Sequence, residues 1–275
     1  MTTNDTLIYT ENSNGVAEIT LNRPEIRNAF DSDLIQKLIS TFKQAESSPS
    51  VRIILLKANG KHFSAGADLN WMRSMAQASY EENYEDAKQL ALMLSTINYI
   101  SKPVIAKVHG AAFGGAIGLI ACADIVIADE DTKFSLSEVK LGLSPATISP
   151  YVIDAIGARA ARRLFLTGEV FSSDKALILG LISEATKTDK LDDEVNKVIS
   201  SLLNNGPIAL TKTKELIHHI NLETKGYSET RDDSLVDYTC ELIAELRVSE
   251  EGQEGLSAFL EKRAPSWTLT TEAKL

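Results

Sequence analysis

The sequence predicts an α/β core followed by a purely helical C-terminal region. Apolar runs of strand length alternate with helical patterns through the first 190 residues. Two of these apolar runs, near residues 57 and 108, lead into glycine-rich corners that precede further helical or polar segments. From residue 191 onward the spacing is helical. We therefore divide the chain into residues 1–190, which form the core with the candidate active site, and residues 191–275, which form the helical region.

The first half of the core shows a strand, strand, helix, strand order. Residues 7–21 predict a hairpin because they alternate at period two around an Asn- and Gly-containing turn. Asp31 is the expected N-cap of the next helix, and residues 51–57 predict a strand. We expect residues 73–85, which are polar, to be mobile, and a helix over residues 86–100 to lead back to the next strand.

The second half of the core shows only a loose recurrence of strands and helices, and it is followed by the helical region. A strand ends at Val108, and the all-apolar run after Gly115 predicts a buried helix. The remaining predicted elements are strands at 125–128 and 132–136, helices at 151–166 and 174–180, and tail helices at 191–204, 207–220 and about 228–247.

Composition excludes several classes of function. The formal net charge of −10 argues against a surface that binds nucleic acid or an anionic membrane. Cys122 and Cys240 lie in apolar helical contexts, so we expect buried thiols in a reducing compartment. Without a run of about 20 apolar residues or a leader pattern, we expect a cytoplasmic protein.

The two glycine corners carry the first functional signal. If the strands before them pair in parallel, the backbone amides of Ala67 and Gly115 face one cavity. Two converging N–H donors in a dry pocket form an oxyanion hole, which stabilises negative charge on a carbonyl oxygen. The alternative is that both corners are ordinary packing turns.

Glu138 carries the second signal. It follows a predicted strand and lies between apolar neighbours, where desolvation would raise its pKa and suit it to proton transfer. The alternative is an exposed loop glutamate.

Several motifs together resemble the crotonase, or enoyl-CoA hydratase/isomerase, superfamily over nearly the whole span from residue 16 to residue 263. They are Leu21-Asn22-Arg23-Pro24 with Asn28-Ala29, Phe63-Ser64-Ala65-Gly66-Ala67-Asp68-Leu69, Gly110-Ala111-Ala112-Phe113-Gly114-Gly115, Phe134-Ser135-Leu136-Ser137-Glu138, and Glu254-Gly255-Leu256-Ser257-Ala258-Phe259. The resemblance implies a spiral of ββα units, a C-terminal helical trimerisation region, and a homotrimer or homohexamer. It also implies an acyl-CoA thioester substrate, with coenzyme A present only as part of that substrate and no metal or redox cofactor.

The same resemblance implies roles for individual residues. It makes Glu138 the acid/base and the amides of Ala67 and Gly115 the oxyanion donors. It further assigns contacts with coenzyme A to Ala65, Gly66, Asp68, Leu69 and Gly114, and we add Arg27 and Lys262 as candidate partners of its phosphates.

The sequence departs from the common hydratase pattern at one position. Many hydratases of the family use two glutamates, but the position that matches the first is Gly118. A single glutamate at the position of Glu138 is also what many enoyl-CoA isomerases of the family use.

Two further segments narrow the resemblance. Asn70-Trp71-Met72 and residues 142–152 resemble the methylglutaconyl-CoA hydratases and, equally, the isohexenylglutaconyl-CoA hydratases, which act on enoyl-CoAs with a second carboxylate. We favour hydration of 3-methylglutaconyl-CoA, with Arg73 or Lys140 as a candidate cation for the distal carboxylate. The alternatives are isohexenylglutaconyl-CoA hydration, an enoyl-CoA isomerase, and a non-catalytic acyl-CoA- or RNA-binding relative.

Overall fold

The computed structural model describes residues 5–225 and 233–268. Its described part contains nine strands in two sheets. The strands are β1 (Leu7–Glu11), β2 (Val16–Leu21), β3 (Ile53–Ala58), β4 (Val104–Val108), β5 (Ala111–Phe113), β6 (Ile125–Asp129), β7 (Lys133–Ser135), β8 (Val170–Ser172) and β9 (Glu184–Thr186).

The same residues contain ten α-helices, of which the last four form the C-terminal region. They are α1 (Ser32–Ser47), α2 (Leu69–Met75), α3 (Tyr80–Tyr99), α4 (Gly115–Cys122), α5 (Ser149–Thr167), α6 (Ser173–Leu179), α7 (Leu191–Leu203), α8 (Pro207–Lys225), α9 (Asp233–Val248) and α10 (Glu250–Glu261). The α/β core with a helical C-terminal region is therefore confirmed. None of the described helices is both long and apolar enough to span a membrane.

The large sheet has the strand order β1-β2-β3-β4-β6-β9 and is buried on both faces. Only β1 and β2 are antiparallel, and the other neighbours pair in parallel. Because side chains alternate across a strand, Ile54 and Leu56 of β3 join the main core, whereas Ile53 and Leu55 pack with α7 on the opposite face. Helix α7 thus packs on the outer face of the large sheet.

The small sheet, β5-β7-β8, gives the chain its spiral course. β4 leads into β5 and α4, and β6 leads into β7 and, beyond a short 3₁₀ turn at Glu138–Leu141, into α5. β3 is followed in the same way by Ser64, which forms a parallel bridge with Ala112 of β5 before α2 begins. Each unit therefore steps from the large sheet to the small sheet and then to a helix.

The polar segment after the first glycine corner is more ordered than its sequence suggested. The prediction of a mobile segment over 73–85 and a helix from 86 is wrong, because α2 occupies 69–75 and α3 begins at Tyr80. The residues that cap the starts of α2 and α3 are sequence signals for both helices. Asp68 accepts hydrogen bonds from the amides of Asn70 and Trp71, and Ser79 and Glu82 form a reciprocal capping box.

The expectation that both cysteine thiols are buried is wrong for Cys240. Cys122 is buried in α4, as expected, but Cys240 is exposed on α9, so only one of the two is a core thiol. Helix α8 runs to residue 225 rather than 220. The predicted start of the next helix near 228 lies outside the described residues, and α9 is described from Asp233.

A partly buried ion pair connects α8 to the core. The side chain of Lys214 donates to Asp124 Oδ2 at 2.7 Å, and the same oxygen accepts from the backbone amide of Val104 at 2.7 Å. Asp124 therefore joins the C-terminal end of α4, the start of β4 and the tail.

Candidate active site

Three parallel extended segments place the candidate residues at one edge of the small sheet. Ser64 pairs with Ala112, and Ala112 pairs in turn with Phe134 of β7. The corner at Gly66-Ala67, the corner at Gly114-Gly115 and Glu138 each follow one of these segments within four residues. Since the carboxyl ends of parallel neighbours meet at the same edge, the three groups come together there.

The first corner presents the amide of Ala67 without a partner. Phe30 donates its amide to the carbonyl of Gly66 at 2.7 Å and accepts from the amide of Asp68 at 2.7 Å. These bonds use the groups on either side of Ala67, so its own N–H points away from Phe30. That N–H donates to no acceptor in the described part of the chain.

The corner requires glycine at position 66. Gly66 has φ +90°, and a Cβ there would lie 2.9 Å from the carbonyl oxygen of Phe113. A side chain at this position would therefore push the two corners apart.

The second corner has the same property. Gly115 is the first residue of α4, so its N–H has no acceptor within the helix, and no other acceptor is found among residues 5–225 and 233–268. Every residue from Ala116 to Ile120 is buried, which holds the start of the helix in place. The positive end of the helix adds to the attraction for an oxygen that carries negative charge.

Glu138 lies opposite these amides as a half-buried acid. It begins the 3₁₀ turn after β7, and its Oε2 is buried without a hydrogen-bond partner. A Cβ at Gly114 would lie 3.2 Å from Glu138 Oε1. Burial raises the pKa of Glu138, which a hydrogen bond from its own backbone opposes. An orphaned carboxyl oxygen beside free N–H donors is poised to exchange a proton with a ligand.

Two cavities meet at Ala67. The smaller one has a volume of about 190 Å³ and contains both corners and the acid, being lined by Phe30, Ala67, Trp71, Leu90, Gly115, Glu138, Ser144, Pro145, Thr147 and Ile148. We call it the acyl cavity. The larger one has a volume of about 470 Å³, and its lining includes Arg27, Ala65, Ala67, Asp68 and Leu69. We call it the outer cavity.

The other predicted contact residues fall into two groups. Ala65, Asp68, Leu69 and Arg27 line the outer cavity, although the carboxylate of Asp68 also caps α2. Gly66 and Gly114 form the corners themselves, whereas Lys262 follows α10 and lines neither cavity. The structure therefore brings all of them except Lys262 to one region, and their roles toward coenzyme A stay predictions.

The position of the missing glutamate is filled by apolar side chains. A Cβ at Gly118 would lie 2.4 Å from Ile148 Cγ2 and 3.2 Å from Leu94 Cδ2. Ile148 also lines the acyl cavity. The wall that would carry a second carboxylate is hydrocarbon here.

Sequence reasoning missed several residues of the site, among them Phe30 and Trp71. Phe30 holds the first corner by backbone bonds, and its ring would contact a Cβ at Gly115 at 3.5 Å. Trp71 lines the acyl cavity from α2. The Asp68 cap could have placed Trp71 on a helix, but no local pattern connects Phe30 to a corner more than 30 residues away.

These features agree with the comparisons to known proteins. The chain belongs to the enoyl-CoA hydratase/isomerase family, whose model matches residues 11–270. The crotonase fold is confirmed by an enoyl-CoA hydratase from Shewanella pealeana, whose crystal structure superposes with a TM-score of 0.90 at 48% sequence identity over 96% of each chain.

Two curated relatives show the range of chemistry in this family. The 2,3-dehydroadipyl-CoA hydratase of Escherichia coli is 31% identical over 90% of this chain and 93% of its own length. The trans-2-decenoyl-(acyl-carrier-protein) isomerase of Streptococcus mutans is 32% identical over 93% of this chain and 95% of its own length. One relative is named as a hydratase and the other as an isomerase.

Replacing Glu138 by glutamine tests the acid/base role and the cost of burying the carboxyl. We expect Glu138→Gln to lower kcat about 10²- to 10⁴-fold, because an amide cannot exchange the proton. The folded-state pKa of Glu138 is raised above 4.5, so its contribution to stability is present at low pH and is lost as pH rises through the raised pKa. The variant should therefore melt at a higher temperature than wild type at pH 8, and this gain should disappear below pH 4.5. Unchanged turnover would contradict the role.

Restoring the second glutamate tests the apolar wall. We expect Gly118→Glu alone to destabilise the fold by about 1–3 kcal/mol, because its side chain overlaps Ile148. Adding Ile148→Ala should recover part of the stability and raise hydration of crotonyl-CoA. Thermal melting and absorbance assays would measure both effects, with Gly118→Ala/Ile148→Ala as the matched control. A single Gly118→Glu variant as stable as wild type would refute the overlap.

Proposed function

We propose that this chain is an enoyl-CoA hydratase that adds water reversibly to 3-methylglutaconyl-CoA and forms 3-hydroxy-3-methylglutaryl-CoA. The observation that carries the proposal is the orphaned Oε2 of Glu138 in a cavity that also contains the free amides of Ala67 and Gly115. One acid/base and two N–H groups that donate to the thioester carbonyl oxygen are sufficient for addition across a double bond conjugated to that thioester.

The proposed reaction uses Glu138 twice. Its carboxylate takes a proton from water, and the water oxygen bonds to C3 of the acyl group. The electrons of the C2–C3 double bond move toward the thioester, where the two amides hold the developing negative charge on oxygen. Protonated Glu138 then returns its proton to C2, so the catalyst is regenerated. Each fixed donor lowers the activation free energy by on the order of 3 kcal/mol.

The volume of the acyl cavity supports a short acyl group. About 190 Å³ equals roughly six volumes of liquid water. The 3-methylglutaconyl group extends about seven non-hydrogen atoms beyond its thioester carbonyl, whereas the isohexenylglutaconyl group extends about twelve. The size therefore favours the methyl-substituted substrate over its terpene-derived alternative.

The distal carboxylate needs a partner that differs from our first candidates. Arg73 lines the outer cavity and donates to Asn70 Oδ1 at 3.1 Å. Lys140 is exposed, lies next to Gly168 and lines neither cavity. Within the described residues, no Lys or Arg lines the acyl cavity. Ser144 and Thr147 line it, and we propose their hydroxyl groups as donors to the carboxylate or to the attacking water.

A second candidate function is enoyl-CoA isomerisation, and one observation favours it. The wall at Gly118 is apolar, so only one carboxylate is available to hold a water molecule. In an isomerase that acts on a 3-enoyl-CoA, the same Glu138 would take a proton from C2 and return it to C4 without adding water. The relative from Streptococcus mutans that is named as an isomerase makes this the main alternative.

We also propose a homotrimer or homohexamer in the cytoplasm. Helix α10 carries Leu256, Phe259 and Leu260 at helical spacing on one face, and their side chains are 50%, 81% and 76% exposed in the single chain. Such a face is suited to contact between subunits. The proposed chemistry requires coenzyme A only as part of the substrate and uses neither a metal nor a redox group. Among the residues described, no group of three potential metal ligands comes together.

Three substrates separate the two candidate functions. Purified protein is incubated with 3-methylglutaconyl-CoA, crotonyl-CoA and a 3-enoyl-CoA, and the products are followed by mass and absorbance. We expect a gain of one water mass on the first substrate, with crotonyl-CoA at least about tenfold poorer in kcat/KM. A gain of conjugation from the 3-enoyl substrate at unchanged mass would instead establish an isomerase.

The proposed assembly is tested on α10. Wild-type protein should have three or six times the chain mass of 30.0 kDa in light scattering, and Phe259→Glu should lower it, because a charge in an apolar contact is costly. Tyr80→Glu, at an exposed tyrosine on α3, is the matched control and should leave the mass unchanged. A wild-type mass of one chain would refute the assembly.

A further inference from the structure

Helix α2 is a surface element whose one link into the acyl cavity is Trp71. None of the residues of α2 is buried. The helix is held at its start by the Asp68 cap, and at its end the side chain of Asn83 donates to the carbonyl of Met75 at 3.0 Å. Trp71 is half-buried, packs against the main core, and lines the acyl cavity.

The indole ring of Trp71 is fixed by a carboxylate on the next helix. Its Nε1 donates to Asp86 Oδ1 at 3.1 Å. Asp86 lies on α3 one turn before Leu90, which lines the same cavity, so the acid and the cavity wall share a face of the helix. A ring with one anchored edge loses rotamer freedom and presents a stable surface to a ligand.

The environment of Asp86 suits this anchoring task. Asp86 is half-buried, and burial raises the pKa of its carboxyl, while the hydrogen bond from Trp71 opposes that rise. In the portion of the chain that the structure describes, the indole N–H is the hydrogen-bond donor to this side chain. A partly desolvated carboxyl group that accepts a single hydrogen bond adds little to the stability of the fold. Its arrangement is better suited to fixing the position of that one donor.

We propose that Trp71, anchored by Asp86, is a specificity-determining residue that limits the acyl group to a short chain. This inference rests on the proposed function for the identity of the substrate but concerns only the size of its acyl part. The ring forms an apolar wall together with Phe30, Leu90 and Ile148. Because α2 lies outside the core, removing or releasing the ring enlarges the cavity without emptying a buried position.

The test measures binding of acyl-CoAs that cannot react. Calorimetry with butanoyl-CoA and decanoyl-CoA gives the ratio of the two dissociation constants for each variant. Wild type should prefer the short chain, and Trp71→Ala should shift the ratio toward the long chain by about tenfold or more. An unchanged ratio in a folded Trp71→Ala variant would overturn the proposal.

Variants of the anchor separate specificity from simple packing. Asp86→Leu removes the acceptor and should shift the ratio in the same direction, though less than Trp71→Ala. Asp86→Asn keeps an oxygen that can accept from Nε1, so it should retain the wild-type ratio. Glu81→Leu, on the exposed side of the same helix, is the matched control and should also leave the ratio unchanged. Equal effects of Asp86→Asn and Asp86→Leu would overturn the anchoring role.

Turnover distinguishes failure of this inference from failure of the proposed function. If 3-methylglutaconyl-CoA is hydrated by wild type while the Trp71→Ala ratio does not move, the function stands and the specificity role falls. If no substrate is hydrated but the binding ratio moves as expected, the specificity role stands and the hydratase proposal falls. A shift in binding matched by a gain in kcat/KM with trans-2-decenoyl-CoA supports both.

Discussion

The whole site depends on the register in which three short extended segments pair. Ser64, Ala112 and Phe134 lie side by side, and each segment ends three or four residues later in a group of the site. A slip of one residue would turn the following groups to the other face of the small sheet. Phe30 lies outside these three segments and also fixes the first corner. Its backbone N–H donates to the carbonyl of Gly66 and its carbonyl accepts from the amide of Asp68, so the residues on both sides of Ala67 are held in place.

The carboxyl group of Glu138 is partly buried although one of its oxygens lacks a hydrogen-bond partner, which is unfavourable for folding. Its Oε2 is one of few buried side-chain oxygens in the described residues that lack a partner, and its charge is disfavoured by burial. A structural carboxylate such as Asp124 instead has both a backbone amide and Lys214 as donors. The contrast separates an acid that stabilises the fold from one that is left free for a ligand.

Because the wall at Gly118 is apolar, the choice between hydration and double-bond migration depends on the acyl group of the substrate. With Ile148 and Leu94 in the place of a second carboxylate, the acyl cavity contains one carboxyl group, that of Glu138, and two free backbone N–H groups. These three groups would be sufficient for hydration or for double-bond migration, so the choice between the two reactions would depend on the shape of the substrate and on the water that it admits. The small volume of the acyl cavity, together with Ser144 and Thr147 in its lining, supports our proposal of a short, polar acyl group.

The amino-acid sequence alone predicts the α/β core, the helical tail, both glycine corners and the position of Glu138. These features follow from the periodicity of hydrophobic residues, from turn-forming residues and from the spacing of motifs, all of which are local. It could not place Phe30, Trp71 or Ile148 in the site, and it offered Arg73 and Lys140 for a cavity that neither lines. Whether each of these residues lies in the site depends on parallel strand pairing and on helix packing between segments that are distant in the sequence. Such contacts depend on three-dimensional register, which no local pattern records.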